Sequence, residues 1–295
     1  MSDLYLIWNP VAGNGAASSA FQRVAAYLTQ RQIPYASAMS EYPGHVKHLA
    51  AAAVEAGYRR VLVMGGDGTV REAAESLMRK EAALAIIPCG SGNDLVRALH
   101  IPSDVEAALE IALRGEPRAM DAAMANEELY FNIAGFGFDV DVLVATERYK
   151  TKHSNGSIAY LRGLLSCLLH LNLRKTTITW PGGSMERDVL ILAVGNGTHF
   201  GGGMNITPGA DPFDGLLNVC VIHGVTRRHV PSILPKFLSG KHIGSSHVDY
   251  FQTTELTAVC EPASRIEVDG EILPGTPVTF RILPKALRVI VPAQA

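Results

Sequence analysis

Gly65-Gly66-Asp67-Gly68-Thr69 stands directly after the apolar run Arg60–Met64 and directly before a stretch with helical spacing. Glycines in such a turn let backbone N–H groups approach a ligand, and a helix start offers unpaired N–H groups and positive dipole to a phosphate. Alone, the segment also fits a plain glycine turn with Asp67 or Thr69 as an N-cap. It matches neither GxxxxGK[ST] nor GxGxxG. Two further polar, Gly-rich turns accompany it: Asn9–Gly15 after the first apolar run and Pro88–Asp94 after another. Three turns at the C-terminal ends of strands in one sheet face one crevice. Backbone amides, hydroxyls and the carboxylates of Asp67 and Asp94 in that crevice suit a polyphosphate with a divalent ion.

Those turns need a sheet to hold them. Leu4–Trp8, Tyr35–Ser40, Arg60–Met64 and Leu84–Pro88 read as strands. Ala16–Arg31, His45–Ala56, Val70–Arg79, Asp94–His100 and Val105–Leu113 read as helices, with Gly57 as a stop signal. The alternation predicts a parallel, doubly wound sheet with right-handed crossovers. After Asp121 the rhythm changes. Tyr130–Ile133, Thr176–Trp180, Asp188–Val194, Gly215–His223, Phe251–Cys260, Ser264–Val268, Thr276–Leu283 and Ala286–Val291 are short strand-like runs, and only Ser157–Leu171 and Thr226–Leu238 carry helical spacing. The expected fold class is α/β plus β: a doubly wound nucleotide-binding domain over 1–121, then a β-sandwich domain over 122–295. The final strand could fold back onto either unit.

The 295 residues are 47% hydrophobic and 18% charged, enough for two cores and incompatible with intrinsic disorder. Basic and acidic residues number 11 and 13 up to Asp121 and 15 and 15 after it, which gives a net charge of −2. Neither part has the basic excess of a nucleic-acid-binding surface. Cys89, Cys167, Cys220 and Cys260 lie far apart, so neither a disulfide framework nor a zinc ribbon is indicated and a reducing cytosol fits. The N-terminus lacks the pattern of a secretion signal, and no apolar run approaches the ~20 residues of a membrane-spanning helix. The expectation is a cytoplasmic protein.

The three turns, in this order, resemble the diacylglycerol kinase catalytic-domain family and, within it, the small bacterial YegS-type lipid kinases. The likeness runs over nearly the whole chain, through Asp121–Ala123, Asn132–Gly137, Gly195–Gly197, Gly201–Gly203, Pro208–Leu216, Asp269–Glu271 and Leu283–Leu287. It implies a two-domain architecture like that of NAD kinases, with ATP between the domains. It implies contacts to ATP from Asn9, Pro10, Gly13, Ser40, Gly66, Asp67, Gly68, Thr69, Val70, Arg71, Glu72 and Ser91. It further implies that Asp67, Asp94 and Asp121 form the carboxylate network holding a catalytic Mg²⁺, and that Glu271 is the general base. A second, structural Mg²⁺ or Ca²⁺ site is implied at Asp211, Asp214 and Leu216. Read on its own residues, that loop is more simply a β-turn with Asp214-Gly215 at its corner. Asp269-Gly270 is likewise a hairpin signal. Ser91 stands where the family more usually has Thr, and Arg71 where it often has Asn.

Phosphoryl transfer from ATP to an alcohol needs in-line placement, charge neutralisation and a group that accepts the hydroxyl proton. No Walker-type Lys is present, so backbone amides and metal carry more of the neutralisation. His45 and His48 are spaced i, i+3, but with no third ligand nearby a solvated helix face accounts for them. Between Glu147 and Glu186 the chain holds Arg148, Lys150, Lys152, Arg162, Arg174 and Lys175 and no acid, around an apolar run at Leu164–Leu169. Such a stretch can lie on an anionic bilayer, and a core-facing helix with a wet basic side shows the same pattern. The expected function is an ATP- and Mg²⁺-dependent kinase acting on a hydroxyl of a diacylglycerol-, phosphatidylglycerol- or sphingoid-like lipid. Its lipid would be met peripherally at the inner face of the cell membrane, with no nucleic acid partner and a homodimer allowed. An NAD kinase is the alternative enzyme. A non-catalytic nucleotide- or lipid-binding regulator is the alternative from another class, and would be expected to lack one of the carboxylates.

Overall fold

The computed structural model describes residues 3–149 and 156–293, which leaves Lys150 and Lys152 outside the described residues. Its first part follows the predicted alternation: β1 (Leu4–Trp8), α1 (Ala16–Gln30), β2 (Ala36–Met39), α2 (His45–Glu55), β3 (Arg60–Gly65), α3 (Asp67–Leu77), β4 (Ala83–Pro88), α4 (Asp94–Ala98) and α5 (Val105–Arg114). The strands pair in parallel in the order β2-β1-β3-β4. β4 is buried along its whole length, as a parallel strand covered on both faces must be. α1 turns Ala17, Ala20, Val24 and Leu28 inward, the spacing of one helical face. α3 begins three residues earlier than its periodicity suggests. Gly66 is its extended N-cap, so Asp67, Gly68 and Thr69 are already its first turn.

The second part comprises β5 (Glu116–Ala125), β6 (Glu128–Tyr130), β7 (Ile133–Gly137), α6 (Phe138–Tyr149), α7 (Gly156–Leu169), β8 (Arg174–Trp180), β9 (Gly183–Gly195), β10 (His199–Phe200), β11 (Met204–Asn205), β12 (Leu217–His223), α8 (Val230–Leu238), β13 (Val248–Thr253), β14 (Glu255–Glu261), β15 (Ile266–Val268), β16 (Glu271–Leu273) and β17 (Val278–Val291). Long, bent β9 pairs with β8 through its first half and with β7 and β12 through its second, so it passes from one layer of a β-sandwich to the other. The sandwich interior holds Tyr130, Phe136, Ile178, Leu192, Val219 and Phe280.

Two sequence readings are corrected here. Phe251–Cys260 is two strands broken at Thr254, because β13 pairs with β12 whereas β14 pairs with β8 and β17. Thr276–Leu283 and Ala286–Val291 are one strand, β17, with an irregularity between Leu283 and Leu287 where Lys285 takes a φ of 53°. β5 escaped notice because Ala and Met dominate it. It owes its extended form to pairing along β17 from Glu116–Val291 to Ala125–Phe280. Asp121 therefore lies in mid-strand. Met120 and Ala122 pack in the first core, and Ala123 and Ala125 in the second. β17 returns to the first domain, where Val289 pairs in parallel with Leu84 of β4.

Candidate active site

The three glycine-rich turns pack backbone to backbone. A Cβ on Gly90 would lie 2.4 Å from the Gly66 Cα, and one on Gly13 would lie 2.0 Å from the Cys89 carbonyl oxygen. Gly13 also has a φ of +60°, which disfavours any side chain. The Asn9 amide donates to Thr69 Oγ1 at 3.1 Å and so ties the first turn to the second. Between them opens a cleft of ≈ 1000 Å³. Its walls include Asn9, Pro10, Gly13, Ser40, Gly66, Asp67, Gly68, Thr69, Arg71, Glu72 and Ser91, and from the other domain Glu271. Val70 is the exception among the nucleotide residues named from the sequence: its side chain lies in the first core. Gly68 has open space around it and a φ outside the left-handed region, so it leaves room for a ligand without being needed by the fold.

The carboxylates fall into separate groups. Asp67 accepts from Asn93 N at 2.7 Å and from Asp94 N at 2.8 Å, which caps α4 and fixes the third turn to the second. Asp94 is 7% exposed. Its Oδ1 meets Arg97 Nη1 at 2.6 Å, and its Oδ2 accepts from Gly202 N of the second domain at 2.8 Å. Burial raises the Asp94 carboxyl above its ordinary range, against the lowering effect of the Gly202 N–H. Asp121 does not join them. Gly215 N donates to its Oδ2 and Lys285 N to its Oδ1, so it anchors the Asp211–Leu216 loop and the irregularity in β17. Among the described residues no three Asp, Glu, His or Cys side chains converge to hold an ion.

In that loop Phe213 N donates to Asp211 and Leu216 N to Asp214, two successive side-chain-closed turns. Burial first, and then the charges of Asp211 and Asp121, raise the Asp214 carboxyl. The three carboxylates influence one another electrostatically without converging on a point, so a divalent cation here would take Asp214 together with main-chain oxygens of the loop.

The Asp269-Gly270-Glu271 hairpin closes the cleft from the second domain. Glu271 sits at its tip, 64% exposed, with Oε2 3.0 Å from Arg71 Nη1. Arg71 is nearly buried on α3, also meets Glu75 Oε1 at 3.3 Å, and donates to the Val268 carbonyl, so it spans the two domains. Asp269 is more than a turn corner. It takes a φ of 46° and accepts from Phe131 N, Asn132 N and Ile133 N at 2.7, 3.0 and 3.1 Å. Burial nonetheless raises it to about 6. Glu267, which accepts from Gly270 N, is raised well above its ordinary range, also by burial.

Behind this hairpin lies an apolar cavity of ≈ 550 Å³ between α6, α7, β9, β12 and α8. Val142, Leu164, Leu168, Ile191, Ile222 and Phe237 are among its walls, with Glu267 and Gly270 at one end. Gly270 lines the large cleft as well, and a smaller pocket holding Asp67 and Asp94 also reaches Glu267 and Gly270. Asp139, raised to about 6 by burial, adds a carboxyl to the cavity wall, and its Oδ1 has no partner among the described residues. The sequence reading missed the cavity, Asp139, Glu267 and the cleft-wall Lys47. An acid two residues before Asp269-Gly270 on a buried strand was the available signal for Glu267; the cavity had none, since its walls come from seven separate segments.

Residues 3–125 match the diacylglycerol kinase catalytic domain, and residues 132–291 match the YegS C-terminal NAD kinase beta sandwich-like domain. A protein of Pseudomonas savastanoi pv. phaseolicola named "Probable lipid kinase YegS-like" is 34% identical over 257 residues, 85% of this chain and 82% of its own. A "Diacylglycerol kinase" of Mycobacterium tuberculosis is 29% identical over 291 residues, 96% of this chain and 93% of its own. A crystal structure of a diacylglycerol kinase from Bacillus anthracis superposes with a TM-score of 0.75, covering 98% of this chain and 96% of that one at 21% identity, and so shares the fold. These matches over both parts of the chain show that it belongs to the diacylglycerol kinase family, on its YegS-like lipid kinase branch.

Proposed function

We propose that the protein transfers the γ-phosphate of ATP, with Mg²⁺, to a hydroxyl of an acyl-chain lipid of the diacylglycerol, phosphatidylglycerol or sphingoid type. One observation carries this reading: Gly270 lines both the polar cleft and the apolar cavity, so a lipid tail in the cavity brings its polar end to the cleft. A dinucleotide, the substrate in the NAD kinase alternative, has no use for a ≈ 550 Å³ apolar cavity.

The phosphates would rest on the backbone of Gly66–Thr69 and the Asn9–Gly13 turn, with the α3 N-terminus and Arg71 offsetting their charge. Mg²⁺, when bound, neutralises charge on the transferring phosphate. It would be held by Asp67 and Asp94 together with phosphate oxygens, in keeping with an ion that takes one or two carboxylates plus substrate instead of a full protein cage. Glu271 would accept the hydroxyl proton, leaving Arg71 as it does so. A second ion at Asp211, Asp214 and Leu216 would serve the fold and not the reaction.

Labelled ATP incubated with a total lipid extract, and separately with NAD, tests the reading. The expected result is label in a lipid and none in NAD, with Ile233→Trp, which fills the cavity, reducing lipid phosphorylation while ATP affinity stays unchanged. Label in NAD alone, or an Ile233→Trp enzyme as active as wild type, overturns it.

A further inference from the structure

The apolar cavity has an outer wall as well as an inner one. α7 turns Leu164 and Leu168 to the cavity, and beside them Leu161, Leu165 and Leu169 form a ridge on the outside at i, i+4, i+8. The three are 54%, 51% and 58% exposed, and no other helix or strand among the described residues exposes more than one large apolar side chain. The ridge is held outward by the opposite face of the helix. A Cβ on Gly163 would lie 2.7 Å from Thr146 Oγ1 and 2.9 Å from Thr146 N, so α7 sits with its backbone directly on α6 and cannot roll.

The charge of the two helical segments that wall the cavity is one-sided. No Asp or Glu occurs between Glu147 and Glu186, the segment of α7, or between Asp214 and Asp249, the segment of α8. Both helices wall the same cavity. Arg148, Arg162, Arg227, Arg228, Lys236 and Lys241 in these segments are exposed. Arg174 and Lys175, by contrast, are engaged by Asp141 and Glu186 and take no part. An apolar ridge on a helix whose segment, like that of α8, carries cations and no acid suits an anionic bilayer, where the leucines enter the acyl region and the cations meet phosphate headgroups. A second copy of the chain would bring the same cations face to face across a two-fold axis, which disfavours it.

We propose that the Leu161–Leu165–Leu169 ridge, with the basic residues of the α7 and α8 segments, docks the protein onto an anionic bilayer and sets the cavity wall against the lipid. This rests on the lipid-kinase reading for its purpose, but its measurement does not. In flotation with phosphatidylcholine vesicles doped with phosphatidylglycerol, wild type binds, binds pure phosphatidylcholine far less, and is released by salt. Leu161→Gln/Leu165→Gln/Leu169→Gln lowers partitioning by about a hundredfold. Arg227→Glu/Arg228→Glu lowers it on anionic vesicles alone. The leucine variant keeps the wild-type melting temperature and its activity on a short-chain, monomerically dispersed lipid. Undiminished flotation of the leucine variant, or wild-type binding indifferent to anionic lipid, overturns the proposal. So does a wild-type dimer that ignores vesicles and dissociates on the leucine substitutions, which would seat a second copy on the ridge. Vesicle binding as expected with no lipid phosphorylated under any condition leaves the docking intact and refutes the kinase reading instead.

Discussion

Replacing Arg71 by Met keeps the bulk of a nearly buried side chain and deletes its charge. Three contacts go at any pH: the pair with Glu271 at 3.0 Å, the pair with Glu75 at 3.3 Å, and the hydrogen bond to the Val268 carbonyl at 3.3 Å. Glu271 is 64% exposed, so solvent screens that pair, and the three together contribute about 1 kcal/mol. A second contribution depends on pH. Arg71 is among the groups that lower the carboxyls of Asp269 and Glu267, both of which burial raises. Asp269, at about 6 in the fold against an ordinary 3.8, contributes stability through its neutral form below the lower value and loses it as pH rises through the higher one. Above that point a half-buried carboxylate without Arg71 costs on the order of 2 kcal/mol more, at an effective dielectric of about 20. At ~2 °C per kcal/mol, Arg71→Met should melt about 2 °C below wild type at pH 5 and about 6 °C below it at pH 8. Differential scanning fluorimetry across that range reads both. A gap that stays constant or narrows with pH would refute the reasoning. A variant more stable than wild type at pH 8 would show that the cation is kept for its ligand alone.

Four other outcomes follow from the same geometry. Glu271→Gln should lower kcat by ~10²–10⁴-fold with ATP affinity unchanged, as measured by single-turnover and binding assays; undiminished kcat would reduce the motif to a hairpin. Asp67→Ala should be inactive and also lose about 1–3 kcal/mol of stability, with faster amide exchange at Asn93 and Asp94, because those N–H groups lose their acceptor. Chelation should lower the wild-type melting temperature and leave Asp214→Ala unmoved; a wild type indifferent to EDTA would refute a bound ion at that loop. Asp139→Asn should flatten the fall in melting temperature between pH 5 and 7, because Asp139 ionises near 6 in the fold and well below that when unfolded.

The first domain was legible because each of its signals is local. Apolar runs of strand length, helical spacing and Gly57 or Gly65-Gly66 at the breaks are properties of a few neighbouring residues. The three Gly-rich turns were legible for the same reason. Side-chain roles inside them were not. Asp67 reads as a ligand-facing carboxylate, but its oxygens hold backbone N–H groups 26 and 27 residues away, a matter of tertiary approach. Asp121 and Asp269 behave likewise, each bound to N–H groups more than 90 residues distant. β5 and the break at Thr254 depend on which partner strand arrives, which periodicity cannot carry. The cavity is the extreme case, a shape enclosed by helices and strands whose individual patterns look like ordinary core.

β17 crosses from the second core into the first, and this has a consequence for how the protein is made. On the ribosome β1 to β4 emerge first, yet the outer edge of β4 is covered only when Val289 arrives, about 200 residues later. At ~5–20 residues per second that leaves a parallel-sheet edge exposed for about 10–40 s. An open apolar edge is a template for pairing with other chains, so the nascent first domain needs shielding, by chaperones or by slow consolidation, until the chain is nearly complete. Expressed alone, residues 3–125 would remain in that unfinished state.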